Sequence, residues 1–323
     1  MSIDKKIEDY KVQKEVSIKY FCLRLVTSID KRLYFMFRKP FWSKLYLAAD
    51  REVESFLIRE YNDIVLEYSQ YTETAIPFDN CNVAPIWMCW LQGEDNAPDL
   101  ARSNINRVKK LAESHPVNVV SMKSVDDYVD IPGRIIDLYR NDYISAAHFT
   151  DIVRYKLLET YGGLWLDASV FLVRKIDNTI FKQPFWIAKG LDGNFPLKPI
   201  CYSCTEWEAY FQAAQRNSLF YSFMNTCLQE YFNKYKRPID YLLPNYFAML
   251  AIKQIPQITK EYQNIPQNNI YCESLNAYPM TREKTKLISK LVNSDTTFFK
   301  LSFKTRYDDL NGMLNVISEM VGE

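Results

Sequence analysis

The 323-residue chain carries 40 Lys and Arg against 39 Asp and Glu, and 48% of its residues are hydrophobic. A balance this close to neutral removes any global electrostatic reason to expect a nucleic-acid partner, and a chain of this size and apolarity can bury the core of one large or two small domains. Seven cysteines, an odd number with no secretory signal ahead of them, point to reduced thiols in a cytoplasm, and no apolar run approaches the length of a membrane span.

Residues 1 to about 75 contain no glycine and one proline, Pro40, and the segment from Val53 to Tyr68 spaces its apolar residues at helical intervals. The sequence therefore predicts a helical N-terminal region over 1–78. Within it, residues 20–51 interleave Phe21, Phe35, Phe41 and Trp42 with Arg24, Lys31, Arg32, Arg38 and Lys39. Two readings fit: a core-facing helix with solvated lysines, or a basic and aromatic surface in peripheral contact with an anionic membrane.

Near residue 80 the texture changes. Ile86-Trp87-Met88-Cys89-Trp90-Leu91 reads as a strand, a helix is expected from Asp99 to Ser114, and a second strand follows at Val117 to Ser121. A further helix ends at Tyr161, and Leu164 to Val173 reads as one more strand. Short apolar strands alternating with helices predict an α/β domain with a mostly parallel sheet over 79–305, followed by a C-terminal tail or helix over 306–323. Ligands of such sheets sit at the carboxyl ends of the strands.

The stretch from Asp151 to Ser169 carries the costly chemistry. Asp151 and Arg154 lie three residues apart on a helix whose apolar residues cover most of its circumference, so they pair with each other or with a ligand. Gly162 and Gly163 are two of only eight glycines and mark a tight turn, the first suited to a left-handed helix cap. Asp167 and Ser169 interrupt an apolar strand two residues apart, which predicts that they face the same way. A buried carboxylate needs a metal, a cation or several donors; a strand-end surface aspartate is the alternative. Cys201 and Cys204 have the spacing of a zinc pair, but no second pair follows, and with only His115 and His148 in the chain a histidine mechanism has little to draw on.

The run from His148 through Asp151, Arg154, Gly162, Gly163, Trp165 and Asp167 to Ser169 resembles the core motif of bacterial capsular polysaccharide synthesis glycosyltransferases, which are similar to glycosyltransferase family 32. Pro85 to Trp90, Trp207 to Phe211, Ile239 to Tyr241 and Lys300 to Lys304 agree with it, so the resemblance spans about residues 50–305. It implies a GT-A fold that moves a hexose or N-acetylhexosamine from a nucleoside diphosphate sugar, a UDP-sugar foremost, to a lipid-linked oligosaccharide acceptor with retention, using Mn2+ or Mg2+. It also implies roles: Trp90 stacks on the nucleobase, Asp151 and Arg154 hold the donor, Trp165 lines its pocket, and Asp167 contacts donor and metal. Asp167 and Arg154 are then the catalytic residues. Ser169 stands where the second carboxylate of the family motif lies, which leaves Asp167 and Ser169 as the metal pair and makes Asp240, Asn245 and Lys304 candidates for compensation. That substitution also motivates a different class of function, an inactive glycosyltransferase-like scaffold or regulator of polysaccharide assembly. A toxin-like protein glycosyltransferase is a third reading.

Overall fold

The computed structural model describes residues 3–37, 43–189, 207–273 and 294–303, with the side chains of residues 30–43 outside that description. Four helices come first: α1 (Ile3–Val16), α2 (Ile18–Phe37), α3 (Ser43–Glu60) and α4 (Asn62–Tyr68). The absence of glycine is their local cause; burial of one stripe is the tertiary one. Val53, Phe56, Leu57 and Tyr61 enter the main core, and α3 packs on α9 (Leu243–Gln254), where the Tyr61 and Phe247 rings meet edge to face at 4.8 Å.

The centre is a five-stranded sheet built from β1 (Ile86–Cys89), β2 (Val117–Val120), β3 (Gly163–Leu166), β5 (Phe185–Ile187) and β6 (Phe211–Ala214), in the order β2-β1-β3-β6-β5. β2, β1 and β3 are parallel, whereas β6 runs antiparallel to both of its neighbours, so the sheet is mixed rather than mostly parallel in its pairings. Side chains alternate between the two faces as a pleated strand requires. Ile86, Met88, Leu164 and Leu166 pack with Ala101, Ile105 and Val108 of α5 (Asp99–Leu111) on one face. Trp87, Cys89 and Trp165 pack with α7 (Ala146–Tyr161) and α8 (Leu219–Lys234) on the other. α6 (Gly133–Arg140) precedes α7, and α10 (Pro256–Asn264) follows α9.

The expected strand from Leu164 to Val173 is two strands. β3 ends at Leu166, Asp167 to Ser169 turn with the Val170 amide donating to the Asp167 carbonyl at 2.9 Å, and β4 (Val170–Leu172) leaves the central sheet to pair antiparallel with β7 (Phe298–Lys300). The carboxylate thus sits at a corner between two sheets, not inside one strand. The expected tail over 306–323 and the Cys201 and Cys204 pair lie outside the described residues. Among the described residues, no helix is long and apolar enough to cross a membrane.

Candidate functional site

β1 and β3 are parallel neighbours with Ile86 opposite Leu164 and Trp87 opposite Trp165, so their carboxyl ends release Trp90 and Asp167 at one edge of the sheet. A cleft of about 500 Å³ opens at that edge, lined among others by Trp90, Asp151, Arg154, Trp165, Asp167, Ser169, Glu208 and Lys300. Sequence spacing alone placed these groups on a helix and a strand; the turn between them makes them one site.

That turn depends on both glycines. Gly162 has φ +65° and ψ −152°, a region beyond the left-handed cap that its position predicted, and Gly163 has φ +94°. A Cβ at Gly163 would lie 2.1 Å from the Pro85 carbonyl oxygen, and one at Gly162 2.7 Å from that of Ala214. The Trp87 indole donates to the Gly162 carbonyl at 2.9 Å and fixes the turn against β1. At the other end of α7, the Ser145 hydroxyl caps the helix by accepting from the His148 amide. His148 itself is buried, bonded to Ser145 and the Tyr241 carbonyl, and burial lowers its pKa, which is the behaviour of a packed residue.

Arg154 is buried, at 4% exposure, in a position where an unpaired charge is prohibitive. Its Nη2 donates to Asp167 Oδ1 at 3.0 Å and its Nη1 lies 3.1 Å from Asp151 Oδ1, so the two carboxylates share one guanidinium. Trp165 is 1% exposed, and its indole Nε1 donates to the same Asp167 oxygen at 2.9 Å. Its ring also lies under the Arg154 guanidinium at 5.0 Å, so Trp165 touches the cleft chiefly as the support of its two charged neighbours. Lys300 donates from Nζ to Asp167 Oδ2 at 2.7 Å. Burial alone would raise the Asp167 carboxyl, but Lys300 and Arg154 outweigh it and hold the group down at about 2. Asp151 goes the other way, raised by burial that Arg154 only partly offsets.

Lys300 is the site residue that motif reading passed over. Lys304, named in its place, lies outside the described residues. One signal was available, since Lys300 interrupts the apolar run Phe298 to Leu301 as Asp167 interrupts its own. Glu208 was also unassigned: it is 8% exposed, and burial with the Glu273 charge pushes its carboxyl well above the usual range. Trp90 stands at the cleft with its ring 5.7 Å from that of Phe303 and its indole Nε1 buried with no hydrogen-bond partner among the described residues. Asn245 lines the cleft and donates to the Trp207 carbonyl at 3.1 Å. Asp240 is committed elsewhere, to Arg24 at 2.7 Å and to the Leu242 amide at 3.0 Å.

At Asp167 a divalent ion would compete with resident cations. Magnesium binds through one or two carboxylates with phosphates and water, whereas both oxygens of the one carboxylate at this turn are already held by Arg154 and Lys300, with the Ser169 hydroxyl two residues on. Among the described residues, no three His, Cys, Asp or Glu side chains converge in a metal-binding group.

The chain is 31% identical over 108 residues to an O-glycosyltransferase, braB, of Annulohypoxylon truncatum, covering 30% of this chain and 25% of that protein. It is 27% identical over 124 residues to the glycosyltransferase afumC of Aspergillus fumigatus, covering 36% of this chain and 31% of that one. The chain thus spans between a quarter and a third of the length of these relatives. Among solved structures, the PaToxG glycosyltransferase aligns with a TM-score of 0.40 at 12% identity, over 84% of this chain and 96% of that one. The profile of one family, described as capsular polysaccharide synthesis protein, matches residues 31–319 and so takes in the whole cleft. With nearly its full length matched, the chain belongs to the capsular polysaccharide synthesis protein family.

Proposed function

We propose that the protein is a glycosyltransferase with a GT-A-like catalytic domain that transfers a sugar from a nucleoside diphosphate donor, UDP-sugars foremost, to a growing surface polysaccharide. The observation that carries this reading is the cleft at the carboxyl ends of β1 and β3, where an aromatic ring, Trp90, and a cationic pair, Arg154 and Lys300, stand around one ionised carboxylate. A ring suits a nucleobase, and cations suit a diphosphate. In the step proposed, the bond from the anomeric carbon to the diphosphate oxygen breaks and the acceptor hydroxyl oxygen forms the new bond on the same face. The hydroxyl proton passes to the departing diphosphate, whose charge Arg154 and Lys300 offset. The paired-carboxylate mechanism of glycosidases is not needed for this retaining course.

A lipid-linked acceptor fits the outer face of α2. Ile18, Cys22, Leu25, Val26 and Ile29 form an exposed stripe on it, and between Ile18 and Lys44 the acid Asp30 is set against Lys19, Arg24, Lys31, Arg32, Arg38, Lys39 and Lys44. Lys19 and Arg24 pair with Glu52 and Asp240, and the excess of basic over acidic residues in this segment suits anionic headgroups. The paired Leu25→Glu and Ile29→Glu substitution is expected to abolish sedimentation with phosphatidylglycerol vesicles at low salt, and equal sedimentation of the variant would refute the membrane face.

The decisive experiment for the function is a thermal-shift panel of nucleotide sugars followed by donor-turnover assays on those that stabilise the fold. Stabilisation with turnover supports the reading. Stabilisation without turnover, even with oligosaccharide acceptors, turns it into that of an inactive scaffold.

A further inference from the structure

The cation at the heart of the cleft is part of the chain. Lys300 closes β7, whose register sets it opposite Val170 at the start of β4. Its amide donates to the Cys272 carbonyl at 2.8 Å, and the next amide, of Leu301, donates to the Ser169 carbonyl at 2.8 Å. The backbone that presents the lysine is therefore clamped directly onto the turn that presents Asp167. The side chain is 20% exposed, its ammonium reaches Asp167 Oδ2 at 2.7 Å and lies 4.8 Å from the centre of the Tyr210 ring. Arg154, the other cation among the described residues of the cleft, is turned toward the two aspartates from within the core.

Three consequences follow from this geometry. First, the position beside Asp167 that a divalent ion would take is filled by an ammonium fixed at hydrogen-bond distance. Second, an ammonium has three donor hydrogens, and one bond to Asp167 leaves others for a second anion. Third, Asp151 and Asp167 bring two negative charges and Arg154 one positive charge, so the Lys300 ammonium balances the corner without a divalent ion.

We propose that Lys300 is the diphosphate-binding cation of the donor site, standing beside Asp167 where a metal ion would otherwise stand, and that donor binding is consequently independent of divalent ions. The proposal rests on the reading of the cleft as a nucleoside diphosphate site.

Isothermal titration of the full chain with uridine, guanosine, adenosine and thymidine diphosphates, in EDTA and in Mn2+, tests it. At least one diphosphate is expected to bind equally well in both. Lys300→Met should weaken that binding by about ten- to a hundredfold, the loss of a charge-assisted contact, while Lys300→Arg stays within a few-fold of the native protein. Melting curves of the two variants separate lost binding from lost folding: a Lys300→Met protein that melts cooperatively and binds as the native one does overturns the proposal. So does native binding that disappears in EDTA and returns with Mn2+, which would leave the donor site itself intact as a reading. If no diphosphate binds under either condition, the donor-site reading fails and the role of Lys300 with it.

Discussion

Asp167 accepts three hydrogen bonds, from Arg154 and Trp165 on one oxygen and from Lys300 on the other. Its depressed pKa of about 2, against an ordinary 3.8, is a statement about stability. A carboxyl whose folded pKa is lowered stabilises the fold above its unfolded pKa, and that contribution is lost as pH falls from about 4 through about 2. The group is 27% exposed, and the shift corresponds to about 2 kcal/mol. Asp167→Asn is expected to flatten the fall of melting temperature over that acid range relative to the native protein, in parallel pH-dependent melts. The same substitution should lower donor turnover by roughly a hundredfold or more, since it removes the charge that orders both cations. Gly163→Ala is expected to cost about 3 kcal/mol or more, because its Cβ would meet the Pro85 carbonyl at 2.1 Å in a backbone conformation that L-residues avoid. Loss of soluble protein or a much lowered melting temperature is the measurement. Both residues were singled out by their cost in the sequence, whereas Lys300 was not, because only the pairing of β7 with β4 brings it to residue 167 from more than a hundred positions away.

At the scale of elements, α7 and the double-glycine turn were the most legible part of the chain. A helix with apolar residues around most of its circumference has to be buried, and it is, between α8 and the sheet. The stretch after it was less legible, because a run of apolar residues has the same composition whether it continues one strand or passes from one sheet to another. What breaks the run is the antiparallel partner β7, which is distant in sequence and captures Val170 to Leu172. The N-terminal helices illustrate the same ambiguity at a surface. In residues 20–51 the core-facing side is real, since Tyr20 is buried and Arg24 is committed to Asp240, while Leu25 and Ile29 on the other side stay exposed. Arg24→Met should leave Asp240 without its cation where α2 meets the loop before α9. A loss of about 1–3 kcal/mol is expected in chemical denaturation.

Across the whole molecule, one hydrophobic cluster joins Val53, Phe56 and Leu57 of α3 to Phe247 and Leu250 of α9 and to Trp165 of the central sheet. A continuous core predicts that the N-terminal helices and the sheet unfold together. Thermal transitions followed by far-ultraviolet circular dichroism and by tryptophan fluorescence are expected to coincide; separate transitions would show that the helices unfold as an independent unit. The sequence by itself determined the α/β class, the helical start, the glycine turn and the identity of most charged groups of the cleft. Those features are set by spacing between near neighbours, by the conformational demands of glycine and by the cost of burying a carboxylate, all of which are written locally. Only the tertiary structure decided that β6 runs against its neighbours, that Asp167 sits at a corner between two sheets, and that its second oxygen belongs to Lys300. Those outcomes depend on which distant strands pair, and pairing is settled by the packing of the whole core.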